Sequence, residues 1–252
     1  MSVLHRVEAG GRTIEVRSAG RTRRLYVDGV FHSAWNSARP LTGAIWDHLA
    51  LPTFLVAEQG ARTALVLGVG GGAALRMLAD LTTPDRLVGV ELDATLLDIG
   101  REWFGLDETG ADLVHADAAR WVADHSRERF DLIVDDIFGE EDGEPLRPAG
   151  FDDAAWWRRL AAMLSPGGVL VVNHVFLDDL FDSDLCQDDV FFDLFPAAVY
   201  FRCDEYENAA SALMTQPIST GTFRARLAAH PALSSASAKK LQRFSIHSLW
   251  SR

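Results

Sequence analysis

Four glycines and four acids in the middle of this chain have the spacing of a nucleoside site. Gly68-Val69-Gly70-Gly71-Gly72 joins an apolar run, TALVLGV (63–69), to a run with helical spacing, AALRMLADL (73–81). Such a turn needs backbone angles that side chains disfavour, and a bare main chain lets a ligand approach closely. Glu91 ends the next apolar run, where a carboxylate can accept two hydrogen bonds from ribose hydroxyls. His115-Ala116-Asp117-Ala118 ends the third run. An acid at Asp117 can accept from an adenine amino group while the following backbone N–H, that of Ala118, meets a ring nitrogen. The fourth run, FDLIVDD (130–136), finishes on Asp135 and Asp136, adjacent carboxylates that can push one pKa upward. If the strand keeps its alternation, these two acids point to opposite faces. The glycine loop alone is a weaker signal. It also fits the G-x-G-x-x-A form of a dinucleotide site, with Ala73 last, and a tight turn with no ligand. Asp93, just before ATLLDIG, reads as a helix cap.

The elements that must position these residues follow from the apolar pattern. Strand-length runs at 63–69, 86–92, 112–117, 130–136 and 169–175 alternate with helix-length amphipathic segments. Near-continuous Val, Ile and Leu strands separated by helices predict a parallel sheet covered on both faces. Two runs near the end, 197–203 and 208–215, are joined by a short loop and predict an antiparallel edge hairpin. Residues 12–35 alternate with period two around Asp28-Gly29, which predicts a small antiparallel sheet. The expected fold is therefore α/β: a Rossmann-like, doubly wound, mostly parallel seven-stranded sheet with an antiparallel edge hairpin. A small N-terminal β domain (1–48) precedes the larger domain (49–252). The tail from Arg224 to Phe244 predicts one or two helices interrupted at Pro231.

The charge narrows the partners. The formal net charge is −12, although residues 1–40 carry seven Arg against three acids. An acidic bulk argues against nucleic acid, whose phosphates need Lys and Arg, and suits a cationic small molecule. Cys186 and Cys203 make neither a disulfide framework nor a zinc spacing, and no metal site is expected. No apolar run approaches the roughly 20 residues that span a bilayer, so the expectation is a cytoplasmic protein with no membrane partner.

The chain resembles the spermidine synthase-like branch of class I S-adenosylmethionine-dependent enzymes. The resemblance lies in LYVDGVFHS (25–33), LVLGVGGGAALRML (65–78), VGVELDATLLDIGREWFG (88–105), HADAARWV (115–122), FDLIVDD (130–136) and SPGGVLVVN (165–173). It implies a transferase of methyl or aminopropyl groups that uses S-adenosylmethionine or its decarboxylated form. Gly68, Gly70 and Gly72 would line the methionine portion, Glu91 the ribose, and Asp117 with Ala118 the adenine. Asp136, with Asp135 beside it, falls where the aminopropyltransferases place their catalytic aspartate, fit to accept an amine proton. A homodimer is the expected partner arrangement.

The chain departs from the polyamine pattern at several points. Asp136-Ile137-Phe138-Gly139-Glu140 replaces Ser-Ser-Asp-Pro after the catalytic acid, and Gly71 stands where the glycine loop carries a substrate-binding Asp. IWDH (45–48) leaves Asp47 as the one acid in its segment, and His32 stands where a Gln is expected. Methyl transfer to an amine or other small nucleophile is therefore favoured over aminopropyl transfer. A nucleoside-binding module without catalysis is a further alternative. His32, Asp47, Glu140 and His174 are the candidate substrate contacts. The EEDGEP stretch (140–145) reads as a loop able to close over the site. Of Trp156 and Trp157, one is expected on the sheet and the other at a substrate or partner. The seven acids between Asp178 and Asp193 read as a solvated helix face or an acidic rim.

Overall fold

Two periodicities divide the chain. Alternating residues build four short strands, β1 (Ser2–Ala9), β2 (Arg12–Ala19), β3 (Thr22–Val27) and β4 (Val30–Asn36), paired antiparallel in that order. The β3–β4 turn puts Asp28 at φ 47° and Gly29 at φ 85°, the pair of positive angles that suits the twist of a two-residue hairpin. β1 was not legible as a strand; it gains its partner by pairing with β2 from Ser2↔Ser18 to Ala9↔Arg12. This computed structural model describes residues 1–57, 60–141 and 144–251, with only the backbone of Glu140, Glu141 and Glu144.

The longer apolar runs build the second sheet. After α1 (Ile45–Ala50) come β5 (Thr63–Leu67), α2 (Ala73–Thr82), β6 (Arg86–Glu91), α3 (Ala94–Phe104), β7 (Asp112–His115), α4 (Ala118–Asp124) and β8 (Phe130–Asp135). A hairpin of β9 (Gly139–Glu141) and β10 (Glu144–Leu146) follows, then α5 (Ala154–Ala162) and β11 (Leu164–His174). Three short helices, α6 (Leu177–Asp182), α7 (Asp184–Gln187) and α8 (Asp189–Leu194), lead to β12 (Ala197–Arg202) and β13 (Ala209–Met214). The chain ends with α9 (Thr220–Ala229), α10 (Ala236–Leu241) and β14 (Ser245–Ser251).

Eight strands lie in the order β14-β12-β13-β11-β8-β5-β6-β7. Those from β11 to β7 run parallel, and β12, β13 and β14 pair antiparallel. The doubly wound expectation holds, with one strand more than the seven read from the runs. The extra strand is β14, whose SIHSLWS sequence is too polar to announce burial and sits half exposed at the sheet edge. The helices expected before it are α9 and α10, with Pro231 in a 3-10 turn between them.

Both sheet faces are covered. Leu75, Leu78 and Leu49 pack on one side, and Trp156, Trp157 and Leu160 on the other. Both tryptophans are fully buried, which corrects the expectation that one would reach a substrate or partner. The EEDGEP stretch is a two-stranded hairpin rather than a loop, although its tip at 142–143 lies outside the described residues. The acidic stretch is three helices in which Asp188 caps α8 and Asp184 accepts from Ala154 N at 2.8 Å.

The order β7-β6-β5-β8-β11 reverses direction between β5 and β8. Ligand crevices open at such a switch, beyond the carboxyl ends of the strands. There Gly68, at φ 81°, lies so close to β8's end that a Cβ would come within 2.2 Å of the Asp136 carbonyl oxygen. Gly68→Ala must therefore move backbone and also hold alanine at a positive φ. It should cost more than about 1 kcal/mol, lowering the melting temperature by at least about 2–4 °C in a chain of this size. An unchanged calorimetric transition would show that the approach is not tight.

Candidate functional site

The glycine loop is shaped by a carboxylate. Glu91, almost fully buried at the end of β6, accepts from Val69 N at 2.9 Å and Gly70 N at 2.8 Å through Oε2. Its Oε1 accepts from Asp93 N at 3.0 Å. These bonds tie the turn after β5 to the turn after β6. Asp93 caps α3 by accepting from Thr95 N, as its position predicted.

The N-terminal sheet closes one side of the loop. Ser33 Oγ accepts from Ala73 N at 3.2 Å, and a Cβ on Gly71 would meet Ser33 Cβ at 2.7 Å. A Cβ on Gly72 would strike Leu106. Gly70 is different: the nearest atom to a Cβ there is His32 O at 3.7 Å. The loop is therefore open to a ligand at Gly70 and filled by protein at Gly71 and Gly72. Asp117 is exposed at the next tip and caps α4, its Oδ1 accepting from Arg120 N at 2.8 Å. Ala118 is the buried first residue of that helix. The tips of β5, β6 and β7 thus bring the loop, Glu91 and Asp117 to one end of the sheet.

Asp135 and Asp136 go different ways. Asp135 is fully buried, and its Oδ2 accepts from Arg147 Nη2 at 2.6 Å and Trp156 Nε1 at 2.9 Å. Arg147 also donates to the carbonyls of Asn173 and Phe151, which anchors the segment after β10. Asp135 is therefore the buried half of an ion pair, on the helix-covered side of the sheet, and its geometry gives it no opening to a reacting atom. Asp136 lies beside Gly68, and its Oδ1 accepts from Asn173 Nδ2 at 2.7 Å. Asn173 in turn accepts from Asn208 Nδ2 at 3.3 Å. Burial pushes the Asp136 carboxyl up to about 7, against the lowering effects of the Asn173 hydrogen bond and Arg147; Asp135 and Glu91 add to the rise.

Asn173 and Arg147 were missed in the sequence. Asn173 left a trace, as a polar residue ending the apolar run VLVVNH. Arg147 left none, because its partners at 135, 151 and 173 are brought together only by the fold.

The other candidate contacts separate. His32 sits on the bulged β4 beside Gly70, with its imidazole held below the usual histidine range by burial and then by Arg12. His174 is buried, its Nε2 3.0 Å from Ser211 Oγ, and burial takes its pKa down to about 3. It is an interior residue, not a substrate contact. Asp47 is buried at the start of α1, where it accepts from Thr42 N, Thr42 Oγ1 and Gly43 N. Burial raises it to about 6 in spite of those bonds, and all of its visible partners belong to its own turn. Glu140 lies in β9, but its side chain is outside the described residues.

No protein-family model matches the chain. Polyamine aminopropyltransferase 1 of Pseudomonas aeruginosa is 29% identical over 181 residues, 69% of this chain and 59% of that protein. An eEF1A lysine and N-terminal methyltransferase of Mus musculus is 29% identical over 122 residues, 46% of this chain and 18% of that protein. The chain thus spans less than two thirds of the length of either relative. Among solved structures, a probable spermidine synthase from Corynebacterium glutamicum aligns at TM-score 0.73 and 18% identity, covering 100% of this chain and 96% of that one. A small antiparallel sheet ahead of a doubly wound sheet is the architecture the chain shares with that spermidine synthase structure. In sequence the chain is thus similar to polyamine aminopropyltransferases and to eEF1A methyltransferases, and in fold to the spermidine synthases.

Two outcomes follow from the acids. Arg147→Met leaves Asp135 buried without its cation, and should cost about 3–5 kcal/mol in chemical denaturation; a loss under about 1 kcal/mol would mean that the pair is not buried as described. Folded Asp136 keeps its proton up to about pH 7, whereas the unfolded chain loses it near the ordinary value of 3.8. The native state therefore binds more protons between those limits, and stability falls as pH rises through that window. Asp136→Asn should melt above the parent at pH 8 by about 2 °C or more, with the gap closing toward pH 4. Equal melting at both pH values would contradict the raised carboxyl.

Proposed function

We infer that the chain is a transferase that takes S-adenosylmethionine, or its decarboxylated form, as group donor and uses Asp136 as the base toward the acceptor. The observation carrying this reading is the placement of Asp136 at the switch point, next to the open Gly70 turn and three strand tips from Asp117. The residues present fit an adenosine-bearing donor. Gly70 leaves its side of the loop unfilled, Glu91 Oε1 takes a single bond, and Asp117 Oδ2 is outside its helix cap. Gly70 would border the methionine portion, with Gly68 and Gly72 shaping the turn through their tight protein contacts; Glu91 would border the ribose, and Asp117 with the Ala118 N–H the adenine. When bound, such a donor supplies an electrophilic carbon next to a sulfonium and a neutral thioether as leaving group.

The chain's own contribution is orientation and proton removal. Asn173 fixes one oxygen of Asp136, leaving the other to accept a proton from the nucleophile. A carboxyl that titrates near neutral pH is well matched to that task, because it is basic enough to take a proton and is still ionised in part of the population. Burial of the carboxylate's surroundings strengthens its interaction with a cationic donor.

Methyl transfer to an amine or other small nucleophile is the reading favoured for the transferred group. It is supported by two departures from a polyamine site, one acid missing and another engaged within the protein. Ser33 and Leu25 fill the space at Gly71 where one would stand, and Asp47 is bound to its own turn. Aminopropyl transfer keeps a specific support of its own, the longer alignment with the Pseudomonas aeruginosa protein.

The two donors leave different nucleosides, S-adenosylhomocysteine or methylthioadenosine, so parallel incubations with each and a panel of amines separate the readings. Asp136→Asn should lower turnover by at least about 100-fold with donor affinity nearly unchanged, and parental turnover should rise with pH through about 7. Glu91→Gln should weaken donor binding by about 1–3 kcal/mol. Calorimetry showing no affinity for either donor would end this reading; retained turnover in the asparagine variant would remove Asp136 as base.

A further inference from the structure

A cavity of about 220 Å³ opens between the N-terminal sheet, the turn before α1 and the C-terminal segment. Its walls carry three cations, Arg24, Arg39 and Arg243, against a single acid, Glu205, with the rings of Phe31 and Tyr206. In a chain of net charge −12 this is an inversion of the bulk charge. Arg243 is already paired with Glu205 at 2.7 Å. That leaves Arg24 and Arg39 with no carboxylate bound to them among the described residues. The half-buried Arg24 stacks its guanidinium 5.4 Å from the centre of Phe31, and its buried Nε has no hydrogen-bond partner. Its Nη1 reaches only the Met1 sulfur at 3.9 Å, a weak acceptor.

The cavity belongs to the same end of the molecule as Asp136. Phe31 directly precedes His32, whose carbonyl borders Gly70. On the other wall, Tyr206 stands two residues before Asn208, which bonds Asn173, which bonds Asp136. Thr42 and Gly43, also on the wall, turn their amides inward to Asp47, so that acid offers the cavity no free carboxylate oxygen. An apolar cavity of about 150 Å³ accommodates a benzene ring, so this one has room for a ring with a small charged group. A half-buried guanidinium on an aromatic face, as Arg24 is on Phe31, with the second cation of Arg39 at the rim, suits a planar carboxylate.

We propose that this cavity is the acceptor's anchoring subsite and takes an anion: a small carboxylate whose apolar body rests on Phe31 and Tyr206 and whose charge meets Arg24 and Arg39. The assignment as an acceptor subsite rests on the transferase reading above. The binding chemistry does not.

Phenylacetate and phenethylamine are near-matched probes of opposite charge, and 1,4-diaminobutane stands for a polyamine. Calorimetry on the full chain at low salt should show saturable one-to-one binding of phenylacetate and none of either amine. Arg24→Gln and Arg39→Gln should each weaken phenylacetate by about tenfold or more, while Arg24→Lys retains most of the affinity. If Arg24→Gln fails to fold, the exposed Arg39→Gln carries the test. No phenylacetate binding to folded protein, unchanged binding in the glutamine variants, or preference for an amine would overturn the proposal. Donor binding is measured on the same sample. Donor bound without phenylacetate sinks the subsite and leaves the transferase reading. Phenylacetate bound without either donor leaves an anion site and sinks the transferase reading.

Discussion

Three backbone amides converge on the Glu91 carboxylate, and the carboxyl end of the parallel strands is organised around that contact. Two come from the turn after β5 and one from the turn after β6. Buried amides must find acceptors, and a charged acceptor holds them more strongly than a neutral one. The contact therefore fixes the glycine turn before any ligand arrives. A turn so fixed can be packed against. Ser33 and Leu25 press on Gly71, Leu106 presses on Gly72, and the N-terminal sheet is seated by those contacts and by Leu96, Ile99 and Phe104 of α3. What remains open is the Gly70 side, so the same carboxylate that shapes the loop also decides where a ligand can lie.

The alternation at the end of β8 makes two environments from two neighbouring acids. Asp135 faces the α5 side, where Arg147 and Trp156 meet it in a fully buried pair. Asp136 faces the crevice, where its hydrogen-bond partner is the neutral amide of Asn173. Desolvation disfavours charge on Asp136, which has no cation in hydrogen-bond contact, whereas Asp135 is paired with Arg147. Asp136 is left with the proton affinity that proton transfer near neutral pH requires, and it is placed next to the open part of the loop. Arg147 serves this division indirectly. It neutralises Asp135 and also holds Asn173 through its carbonyl, so the residue that orients Asp136 is tied to the residue that quiets its neighbour.

Much of this end was legible because its signals are local. The loop glycines, Glu91, Asp117 and Asp136 each end a strand-length apolar run, and a run's end in a parallel sheet is where side chains meet a crevice. Asp93 was legible as a cap for the same reason. The failures share the opposite property. β14 is a polar seven-residue edge strand whose register depends on β12. β1 is exposed on most of its length and needs β2 to be a strand at all. Arg147 has partners 12 and 26 residues away along the chain, visible only once β8, β11 and α5 are assembled. The Trp156-Trp157 pair and His174 misled for another reason: aromatic and imidazole groups serve cores and sites equally, and burial decides between them.

Net charge is a bulk quantity, and a site is local. A chain at −12 invites a cationic ligand, and Asp47 was read as an acid available to one. Yet the acids are spread over helix caps, turn amides and exposed arginine pairs, where each is used locally or dispersed in solvent. The cavity beside the crevice carries the reverse balance because the arginine-rich first forty residues supply part of its wall. Exposed charges more than a Debye length apart scarcely feel one another at physiological salt, about 8 Å. A ligand in the proposed subsite would therefore respond to Arg24 and Arg39 rather than to the distant acids of α6–α8. In the proposed anion subsite, selectivity would turn on which charges the fold leaves without a bound carboxylate, and bulk composition carries no information about that.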